Sequence, residues 1–548
     1  MSKIEVVGLG GLNENGKNLY AVSVDDRLFV FDAGLKFAPD KMYGIDYIIP
    51  SFKYLEENKD KIVGVFITHA HHENMGGLID LIRELPELNV YATNFSCQII
   101  NEEVKNKGIE LKNLHKIEAH KKINFGELSV FPFSVTHSVP ETVGYVINTK
   151  DGAIVYMADF IIDPTMNYPY DMDLGKIAYV GKQGVLLLMA ESIFSEKEGH
   201  TSPKHKLTKF FESVVDRSEG RVIFTVLPLH IYTIQEIFDS LKDTDRKVVI
   251  MGKKLQTIVN IAIEGGYLRC DKNRIGDLRD LKDDKTVLIV SNDRENAYSN
   301  LDRIVNGYDK FVTLKETDTV CFADPSYDAY ELVKVKLMDD IAKKGAHIKT
   351  VPSKNSVRLH ASSEDIMLLI KLFSPKYYMP IKGEYRYQVG NAKLAERVGI
   401  KPENIFLKEN GDIVRIINKK AVECFDKVFV DTTIIDGKNG DDLGEIVLKD
   451  REVLGDSGLL LVSATLDKKT KEIISGPEIL TKGFIYVKDN MDMIEEIKEM
   501  TTNIIKSNVR GTYADYQKIK NDLRESMSKY IFTKTACKPI ILTVIQEI

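Results

Sequence analysis

The chain has 548 residues, 43% of them hydrophobic and 28% charged, which is the composition of an ordinary soluble protein and too long a chain for a single core. Its formal net charge of −6 excludes a global positive field, so any nucleic-acid binding would need a local basic groove. Its five cysteines are widely spaced and form no C-x-x-C pair, which argues against a disulfide framework and against a thiolate zinc site.

The pattern of predicted strands and helices divides the chain into four parts and a linker. Residues 1–205 begin with strands and then mix strands with helices. Residues 206–355 alternate strands and amphipathic helices regularly, which predicts a doubly wound parallel sheet. Residues 356–436 return to the first style, residues 437–446 are a polar, glycine-containing linker, and residues 447–548 predict a compact α/β unit.

Apolar runs predict individual strands in the second and last parts. These strands are residues 222–226, 247–252, 285–290, 459–466, 483–487 and 539–545. The last part also predicts two helices, the second of which has an apolar stripe at helical spacing. The stripe consists of Tyr516, Ile519, Leu523, Met527 and Tyr530. Thr512, three residues before Asp515, is a candidate cap for the start of this helix.

The sequence shows no targeting or membrane signal. No apolar signal-peptide core follows Met1, and there is no run of roughly 18 apolar residues. With the cysteine pattern, this predicts a cytoplasmic protein that has no membrane partner.

The most informative motif follows an apolar run at residues 62–67, which predicts a buried strand. His69 and His71 lie two residues apart directly after it, so both imidazoles point to the same side of an extended chain. Two imidazoles on one side suit a shared metal ion, and Glu73 and Asn74 continue the motif.

Two more polar residues stand at the ends of predicted strands, His137 and Asp159. Taken singly, such a histidine is usually a satisfied core or surface residue, and such an aspartate is usually a turn or cap residue. Following His69 and His71 in the chain, they complete a set of three neutral imidazoles and one carboxylate, which suits zinc or a similar divalent ion.

These residues resemble the ribonuclease J family, nucleases of the metallo-β-lactamase fold with a β-CASP insertion. Residues 69–74 are similar to the His-x-His-x-Asp-His signature of that fold, with Glu and Asn at its last two positions. Other similar segments are Asp32-Ala33-Gly34-Leu35 with Gly44-Ile45-Asp46, Glu191-Ser192-Ile193 upstream of Gly199-His200-Thr201, Leu359-His360-Ala361-Ser362, Pro380-Ile381-Lys382-Gly383-Glu384-Tyr385, and Ser475-Gly476-Pro477 with Gly483-Phe484-Ile485-Tyr486-Val487.

The resemblance implies an α/β fold: a metallo-β-lactamase αββα sandwich, an inserted Rossmann-like β-CASP domain and a small C-terminal α/β domain. Residues 1–205 and 356–436 would form the sandwich, residues 206–355 the insertion, and residues 447–548, after the linker, the C-terminal domain. Family members cut RNA as 5′-to-3′ exonucleases, and some also cut internally, in the processing of ribosomal and other RNA. RNA is therefore the expected partner.

The resemblance also implies roles for individual residues. The catalytic residues would be His360 and Asp159, although His360 could equally be a hydrogen-bonded loop histidine. The residues expected to contact RNA are Glu191, Ser192, His360, Ala361 and Ser362. Two further motifs that would hold the RNA strand are altered, becoming Leu229-His230-Ile231-Tyr232 and residues 291–297.

The main departures from the family pattern lie in its two-metal site. The first metal's ligand positions are all retained: His69, His71, His137 and Asp159. The second metal would share Asp159, but its other positions are altered to Glu73, Asn74 and Lys382. A protonated ammonium cannot bind metal, and at about 4 Å it would repel a divalent ion by roughly 8 kcal/mol at an effective dielectric near 20. We expect Lys382 to occupy the second position and neutralise Asp159 or Glu73; alternatively it points to solvent and the pocket holds water.

Three functions follow from this pattern, and whether the chain is an enzyme stays open. It could be a weak or inactive paralogue that forms a homodimer or a hetero-oligomer with an active ribonuclease J. It could be a slow exoribonuclease or endoribonuclease that uses one metal. Third, it could be a hydrolase for a small substrate, but such an enzyme would need neither the insertion nor the C-terminal domain, which argues against this function. We expect at most one zinc, or manganese or magnesium, per chain, or none.

Overall fold

The computed structural model describes residues 2–38, 44–291, 298–325, 330–355, 358–436, 445–485 and 490–548. The chain forms two compact units. The first comprises Met1–Phe37 and Asp46–Thr433, and the second comprises Ala38–Ile45 and Ile434–Ile548. The predicted linker residues 437–444 and the altered motif residues 292–297 lie outside the described residues.

The first unit contains strands throughout its length. They are β1 (Lys3–Gly10), β2 (Leu19–Val24), β3 (Arg27–Phe31), β4 (Lys36–Phe37), β5 (Tyr47–Pro50), β6 (Ile62–Phe66), β7 (Val90–Thr93), β8 (Leu114–Ile117), β9 (Ile123–Phe125), β10 (Leu128–Ser134), β11 (Val143–Thr149), β12 (Gly152–Met157), β13 (Val185–Glu191), β14 (Val222–Thr225), β15 (Val248–Met251), β16 (Val287–Val290), β17 (Thr319–Phe322), β18 (His347–Thr350), β19 (Tyr377–Ile381), β20 (Ile413–Ile417) and β21 (Lys420–Val422). A further strand, β22 (Thr432–Ile435), crosses the boundary between the units.

The helices of the first unit lie between these strands along the chain. They are α1 (Lys53–Glu57), α2 (His72–Met75), α3 (Leu78–Glu84), α4 (Asn94–Lys107), α5 (Leu174–Gln183), α6 (Thr208–Asp216), α7 (Ile231–Asp239), α8 (Lys253–Glu264), α9 (Ser299–Val305), α10 (Glu331–Lys343), α11 (Ser363–Phe373) and α12 (Tyr385–Arg397). Helices α2 and α3 follow each other directly.

Two sheets face each other at the centre of the first unit. Within the described residues, one sheet has the order β21-β20-β1-β2-β3-β6-β7-β8 and the other the order β19-β13-β12-β11-β10-β9. Their inner faces share one hydrophobic core that includes Tyr20, Phe31, Tyr145 and Tyr156. Helix α4 packs on the outer face of the first sheet, and α5, α11 and α12 pack on the outer face of the second. These layers form the predicted αββα sandwich.

The inserted part forms a separate parallel sheet in the order β15-β16-β14-β17-β18. The predicted strands at residues 222–226, 247–252 and 285–290 correspond to β14, β15 and β16. Their side chains are all buried, since helices cover both faces of such a sheet, and the doubly wound prediction is confirmed.

The second unit contains α13 (Glu445–Ser457), β23 (Leu459–Leu466), β24 (Ile473–Lys482), α14 (Met491–Ser507), β25 (Val509–Arg510), β26 (Tyr513–Ala514), α15 (Tyr516–Thr535) and β27 (Ile540–Glu547). Its main sheet has the order β24-β23-β27, and apolar side chains of α14 and α15 pack against it. Ile519, Leu523 and Met527 of the predicted stripe are fully buried.

Some elements of this unit differ from the expectations. Strand β24, which pairs with β23, was not predicted; of the predicted strand at residues 483–487, residues 483–485 form no strand and residues 486 and 487 lie outside the described residues. Strand β24 contains Pro477, and its missing amide donor is tolerated because β24 lies at the edge of the described sheet. Asp515, not Thr512, caps α15, because its side chain accepts from the Lys518 amide. Helix α13 was not predicted.

Candidate metal centre

The carboxyl ends of neighbouring strands bring the candidate site residues to one edge of the sandwich. Asp159 follows β12, Glu191 ends β13 and Lys382 follows β19. These three strands are parallel neighbours, so their carboxyl ends meet at one edge; Glu191 lies opposite Ile381, one position before Lys382. His69 and His137 follow β6 and β10 at the same edge, each ring at 0–1% exposure.

Three imidazoles and one carboxylate converge there, as the sequence predicted. His71 Nδ1 lies 3.1 Å from His69 Nε2 and 3.2 Å from His137 Nε2, and Asp159 Oδ2 lies 3.2 Å from His69 Nε2. One ligand atom from each of the four residues lies within 4.8 Å of the others. All four side chains are buried, which makes this a closed cluster inside the sandwich edge.

Hydrogen bonds at the far sides of the rings fix which nitrogens face the cluster. His137 Nδ1 donates to the Leu359 carbonyl oxygen at 2.7 Å, which leaves its Nε2 lone pair pointing inward. The Thr68 hydroxyl donates to Asp32, so its oxygen accepts from His69 Nδ1 at 3.0 Å. His71 Nε2 lies 3.2 Å from Ser138 Oγ, and its Nδ1 faces the cluster. Such outer contacts are those that orient metal-ligating histidines.

The cluster fits a tetrahedral divalent ion. An ion with ligand distances of about 2.0–2.1 Å holds its ligand atoms roughly 3.3 Å apart, close to the spacings seen here. Asp159 Oδ2 is buried and accepts no hydrogen bond from any residue that the structure describes. Burial, with the neighbouring imidazoles, lowers the pKa of His71 and His137 well below the ordinary value, so both rings are neutral at pH 7.

On the other side of Asp159, the Lys382 side chain is fully buried and its ammonium forms an ion pair with Asp159 Oδ1. Burial alone would lower the pKa of Lys382, but the carboxylates of Asp159, Glu191 and Glu73 raise it. Burial alone would raise the pKa of Asp159, but Lys382 and His360 hold it well below its usual range. Both groups are therefore charged.

Asn74 and Glu73 differ in what they contact. Asn74 is fully buried; its Nδ2 donates to Asp32 Oδ2 at 2.7 Å and its Oδ1 accepts from Lys382 Nζ at 3.4 Å. The Glu73 side chain is 30% exposed, and its Oε1 lies 3.7 Å from His71 Nδ1. Asn74 thus links Lys382 to the buried carboxylate of Asp32, whereas Glu73 lies at the mouth of the site.

A second group of ionisable side chains adjoins the cluster. His360 Nδ1 lies 2.7 Å from Glu191 Oε2 and 3.3 Å from Asp159 Oδ1. Burial would lower the pKa of His360, but these two carboxylates raise it to about 9. Asp159, Glu191 and His360 also lie close enough together to hold a metal ion. Together with Lys382, they make a buried group of two cations, Lys382 and His360, and two carboxylates, Asp159 and Glu191.

The residues predicted to contact RNA lie beside this group, and most are internal. Ser192, Ala361 and Ser362 are fully buried, whereas His360 is 8% exposed. Ser192 Oγ donates to the Ile381 carbonyl oxygen, the Ala361 amide donates to Glu191, and Ser362 is the N-cap of α11. The contacts seen are therefore positioning contacts within the protein, and RNA contact by these residues stays a prediction.

His230 is a site residue that sequence reasoning did not place. It precedes α7 in the inserted part, and its ring stacks on His71 with centroids 5.0 Å apart and an interplanar angle of 25°. Its Nδ1 is buried without a hydrogen-bond partner among the described residues, and burial, with the charges of His360 and Arg358, lowers its pKa to about 3. A histidine following a predicted strand was the available signal, as it was for His137.

Comparison with known proteins agrees with this architecture. Residues 27–176 match the profile of the beta-lactamase superfamily domain, residues 219–327 that of the ribonuclease J beta-CASP domain, and residues 446–548 that of the ribonuclease J C-terminal domain. Ribonuclease J2 of Bacillus subtilis (strain 168) is 34% identical to the chain, over 100% of the chain and 99% of that protein. The chain belongs to the ribonuclease J family.

A second relative supports the family, and a solved structure supports the fold. Ribonuclease J 2 of Staphylococcus aureus (strain NCTC 8325 / PS 47) is 32% identical over 100% of the chain and 98% of that protein. A crystal structure of a protein of unknown function from Enterococcus faecalis V583 shares the fold, with a TM-score of 0.50, 15% identity, and coverage of 76% of this chain and all of that one.

The predicted fold class of this ribonuclease J family member is confirmed. The matched segments fall within the predicted insertion and sandwich parts, and the last begins one residue before the predicted C-terminal domain; the domain boundaries themselves stay predictions. In the part of the chain that the structure describes, no helix has the length and apolar character needed to cross a bilayer.

Proposed function

We propose that the chain is an RNA-processing protein of the ribonuclease J type whose centre binds a single metal ion and hydrolyses RNA weakly. The observation that carries this proposal is the buried ion pair of Lys382 with Asp159, in the position where the family resemblance implies a second metal. Because this ammonium is fully buried, it cannot leave for solvent without a rearrangement of the pocket.

The three imidazoles and Asp159 Oδ2 are the groups that would hold the ion. A divalent ion bound there would have four protein ligands, so it would acidify a water molecule only by accepting that water as a fifth ligand, and the water would then be a nucleophile near neutral pH. The chain's own part is to aim His69, His71 and His137 inward, through Thr68, Ser138 and the Leu359 carbonyl. This donor set suits zinc best, since imidazole nitrogens dominate it.

Electrostatics supports one ion rather than two. A second divalent ion about 4 Å from the Lys382 ammonium would be repelled by roughly 8 kcal/mol at an effective dielectric near 20. Asp159 Oδ1, which would have to bind that ion, is already paired with the ammonium. The leaving oxygen of a phosphodiester would then lack a metal contact, and losing one such contact commonly costs ~10²–10³ in rate.

His360 is placed to move a proton. With a pKa of about 9, its ring is protonated at pH 7, and Glu191 fixes its orientation through Nδ1. Such a group can protonate a leaving oxygen as a general acid. This dyad, with the intact three-histidine cluster, supports the second candidate function, a slow exoribonuclease or endoribonuclease that acts alone with one metal.

We propose further that the chain works as a partner subunit of a more active ribonuclease J. The support is the contrast between a complete set of matched domains along the chain and a centre in which Lys382 replaces a ligand. A homodimer is the alternative assembly.

The test is the rate of cleavage of 5′-monophosphorylated RNA in Zn²⁺ or Mn²⁺, measured together with metal content per chain. The proposal expects one ion per chain and slow cleavage that Asp159→Ala abolishes. The partner role expects that the rate of an active paralogue rises on mixing with the chain. Two ions per chain would overturn the single-ion centre, and slow cleavage that does not rise on mixing with an active paralogue would favour the second candidate.

A further inference from the structure

The insertion contributes a side chain that packs on the metal cluster. His230, which immediately precedes α7, places its ring over the face of His71, with centroids 5.0 Å apart and ring planes 25° from parallel. The other two imidazoles of the cluster meet His71 edge-on, His69 at 4.7 Å and 72° and His137 at 4.9 Å and 78°. The face of the His71 ring is therefore covered by a residue of the insertion.

A second contact from the start of α7 reaches His71 through Ser138. The Tyr232 amide donates to the Ser138 carbonyl oxygen at 3.1 Å, and Ser138 Oγ lies 3.2 Å from His71 Nε2. The Tyr232 ring also packs edge-on against Tyr170 of the sandwich, with centroids 5.4 Å apart. The first turn of α7 thus contacts the sandwich at the point where His71 is held.

The other two histidines of the cluster take their hydrogen bonds from the sandwich. His69 Nδ1 lies 3.0 Å from the hydroxyl of Thr68, which follows β6. His137 Nδ1 donates at 2.7 Å to the carbonyl oxygen of Leu359, which precedes α11. His71 therefore differs from both in having the insertion as part of its support.

The local structure at His230 is unfavourable unless its ring acts outside its own helix. His230 is the N-cap of α7, a position that Ser, Thr, Asp and Asn fill best because their side-chain oxygens accept from the first amides. The His230 side chain makes no capping hydrogen bond, and its buried Nδ1 has no partner among the described residues. Both features cost stability, and such departures from local rules are typical of functional sites.

The two contacts from the insertion restrict different motions of the His71 ring. A 180° rotation about the Cβ–Cγ bond would exchange Nδ1 for a carbon atom, and the contact of Nε2 with Ser138 opposes that rotation. A tilt of the ring plane would move Nδ1 away from the other ligand atoms, and the stack with His230 opposes that tilt. Ligand atoms that are held in place before an ion arrives bind it more tightly.

We propose that His230 is a positioning residue for the metal ligand His71, so that zinc affinity depends on contact between the insertion and the sandwich. This rests on the proposed function, because it assumes that the histidine cluster binds an ion. His230 acts through the face of its ring and is not one of the four residues whose ligand atoms converge. By linkage, an ion held by His71 holds the start of α7 more firmly in return.

The test measures the zinc affinity of the full-length protein by competition with a chromophoric chelator. His230→Ala removes the ring, and His230→Phe keeps a flat ring without nitrogen atoms. The matched control is His115→Ala on β8, because the His115 ring also stacks on a neighbour, Tyr91, with centroids 4.8 Å apart and an interplanar angle of 21°.

The proposal expects zinc affinity to fall about tenfold in His230→Ala, at the low end of the effect that outer contacts have on metal affinity. His230→Phe should stay within about threefold of the wild type because the aromatic stack is kept, and His115→Ala should match the wild type. Zinc should also slow hydrogen–deuterium exchange at residues 227–239 in the wild type and in His230→Phe, and less so in His230→Ala.

The visible absorption of Co²⁺, bound in place of zinc, separates positioning from a general loss of stability. Its bands depend on the geometry of the ligands. At saturating Co²⁺, His230→Ala should shift the bands and change their intensity, and His230→Phe should restore the wild-type spectrum. A residue with only a structural role would lower the unfolding midpoint and leave the spectrum unchanged.

The possible outcomes distinguish the positioning role from the proposed function. Wild-type zinc affinity or an unchanged Co²⁺ spectrum in His230→Ala would overturn the positioning role and leave the proposed function standing. Equal losses of affinity in His230→Ala and His230→Phe would also overturn it, because the nitrogen atoms of His230 would then matter and not its ring face. Absence of zinc binding by the wild type would overturn both.

Discussion

The two halves of the centre share Asp159 and differ in charge. Toward Oδ2 lie three imidazoles that can donate electron pairs to a metal ion; toward Oδ1 lies a buried ammonium. The first half therefore suits a cation, and the second half already contains one. If the proposed single-ion centre is correct, one shared aspartate is enough to hold one ion and exclude a second without any change of fold.

Breaking the ion pair between Lys382 and Asp159, in the half of the centre that contains Lys382 (the lysine half), should have the largest effect on stability. Asp159→Ala leaves the Lys382 ammonium buried without its counter-charge, and we expect a loss of about 3–5 kcal/mol in the free energy of unfolding. Urea unfolding of the metal-free protein measures this. Combining Asp159→Ala with Lys382→Met should recover much of the loss, because no buried charge is then left alone. Equal losses in the single and double variants would contradict the pairing.

Rebuilding the lysine half as a metal site should erase the difference between the halves. Glu73→Asp, Asn74→His and Lys382→His together restore the ligand types that the family resemblance implies. We expect two ions per chain in place of one, and a cleavage rate about 10²-fold higher. Lys382 has a φ of 54°, a left-handed conformation that histidine adopts more readily than most residues, so the backbone should accept the change.

The control for this rebuilding is Lys382→Gln, which removes the ammonium without adding a ligand. Metal content should stay at one ion per chain, and the rate should not rise. A gain in rate with Lys382→Gln alone would mean that the ammonium only obstructs the pocket.

Glu236 is a buried carboxylate elsewhere in the first unit whose Oε1 accepts hydrogen bonds from amides. It shows how burial would change the pKa of Asp159 if the Lys382 ammonium did not pair with it. Its Oε1 accepts from the amides of Leu207 and Thr208, and burial raises its pKa from 4.5 to about 7. Its contribution to stability is full below pH 4.5 and is lost as pH rises through 7, by about 3 kcal/mol. Glu236→Gln should therefore stabilise the protein at pH 8 relative to pH 5, as judged by urea unfolding at both values. An equal effect at both values would contradict the raised pKa.

Much of the centre could be predicted from sequence because its residues follow strands. His69, His71, His137 and Asp159 each follow an apolar run, and strand ends in one sandwich meet at one edge. The position of Lys382 came from the family resemblance of residues 380–385 and not from a strand pattern, and the preferred hypothesis for its ammonium agrees with the ion pair in the structure.

What could not be predicted depends on contacts between distant segments. His230 reaches His71 from the insertion, and the Leu359 carbonyl reaches His137 across 222 positions of sequence. No local pattern encodes such packing. In the second unit, β24 contains Pro477, and whether a strand lies at a sheet edge, where proline is tolerated, depends on the rest of the sheet and not on the local sequence.

Changing Glu73 should have the smallest effect on zinc affinity. It tests whether a side chain from the altered second metal position helps to bind the ion among the imidazoles. Its side chain is 30% exposed and its Oε1 lies 3.7 Å from His71 Nδ1, so solvent screens its attraction for an ion among the imidazoles. Glu73→Gln should weaken zinc affinity by less than about fivefold, whereas His71→Gln removes a ligand and should abolish stoichiometric binding. Competition with a chromophoric chelator measures both. A loss with Glu73→Gln as large as that with His71→Gln would make the carboxylate a ligand, and the separation of the two halves would then fail.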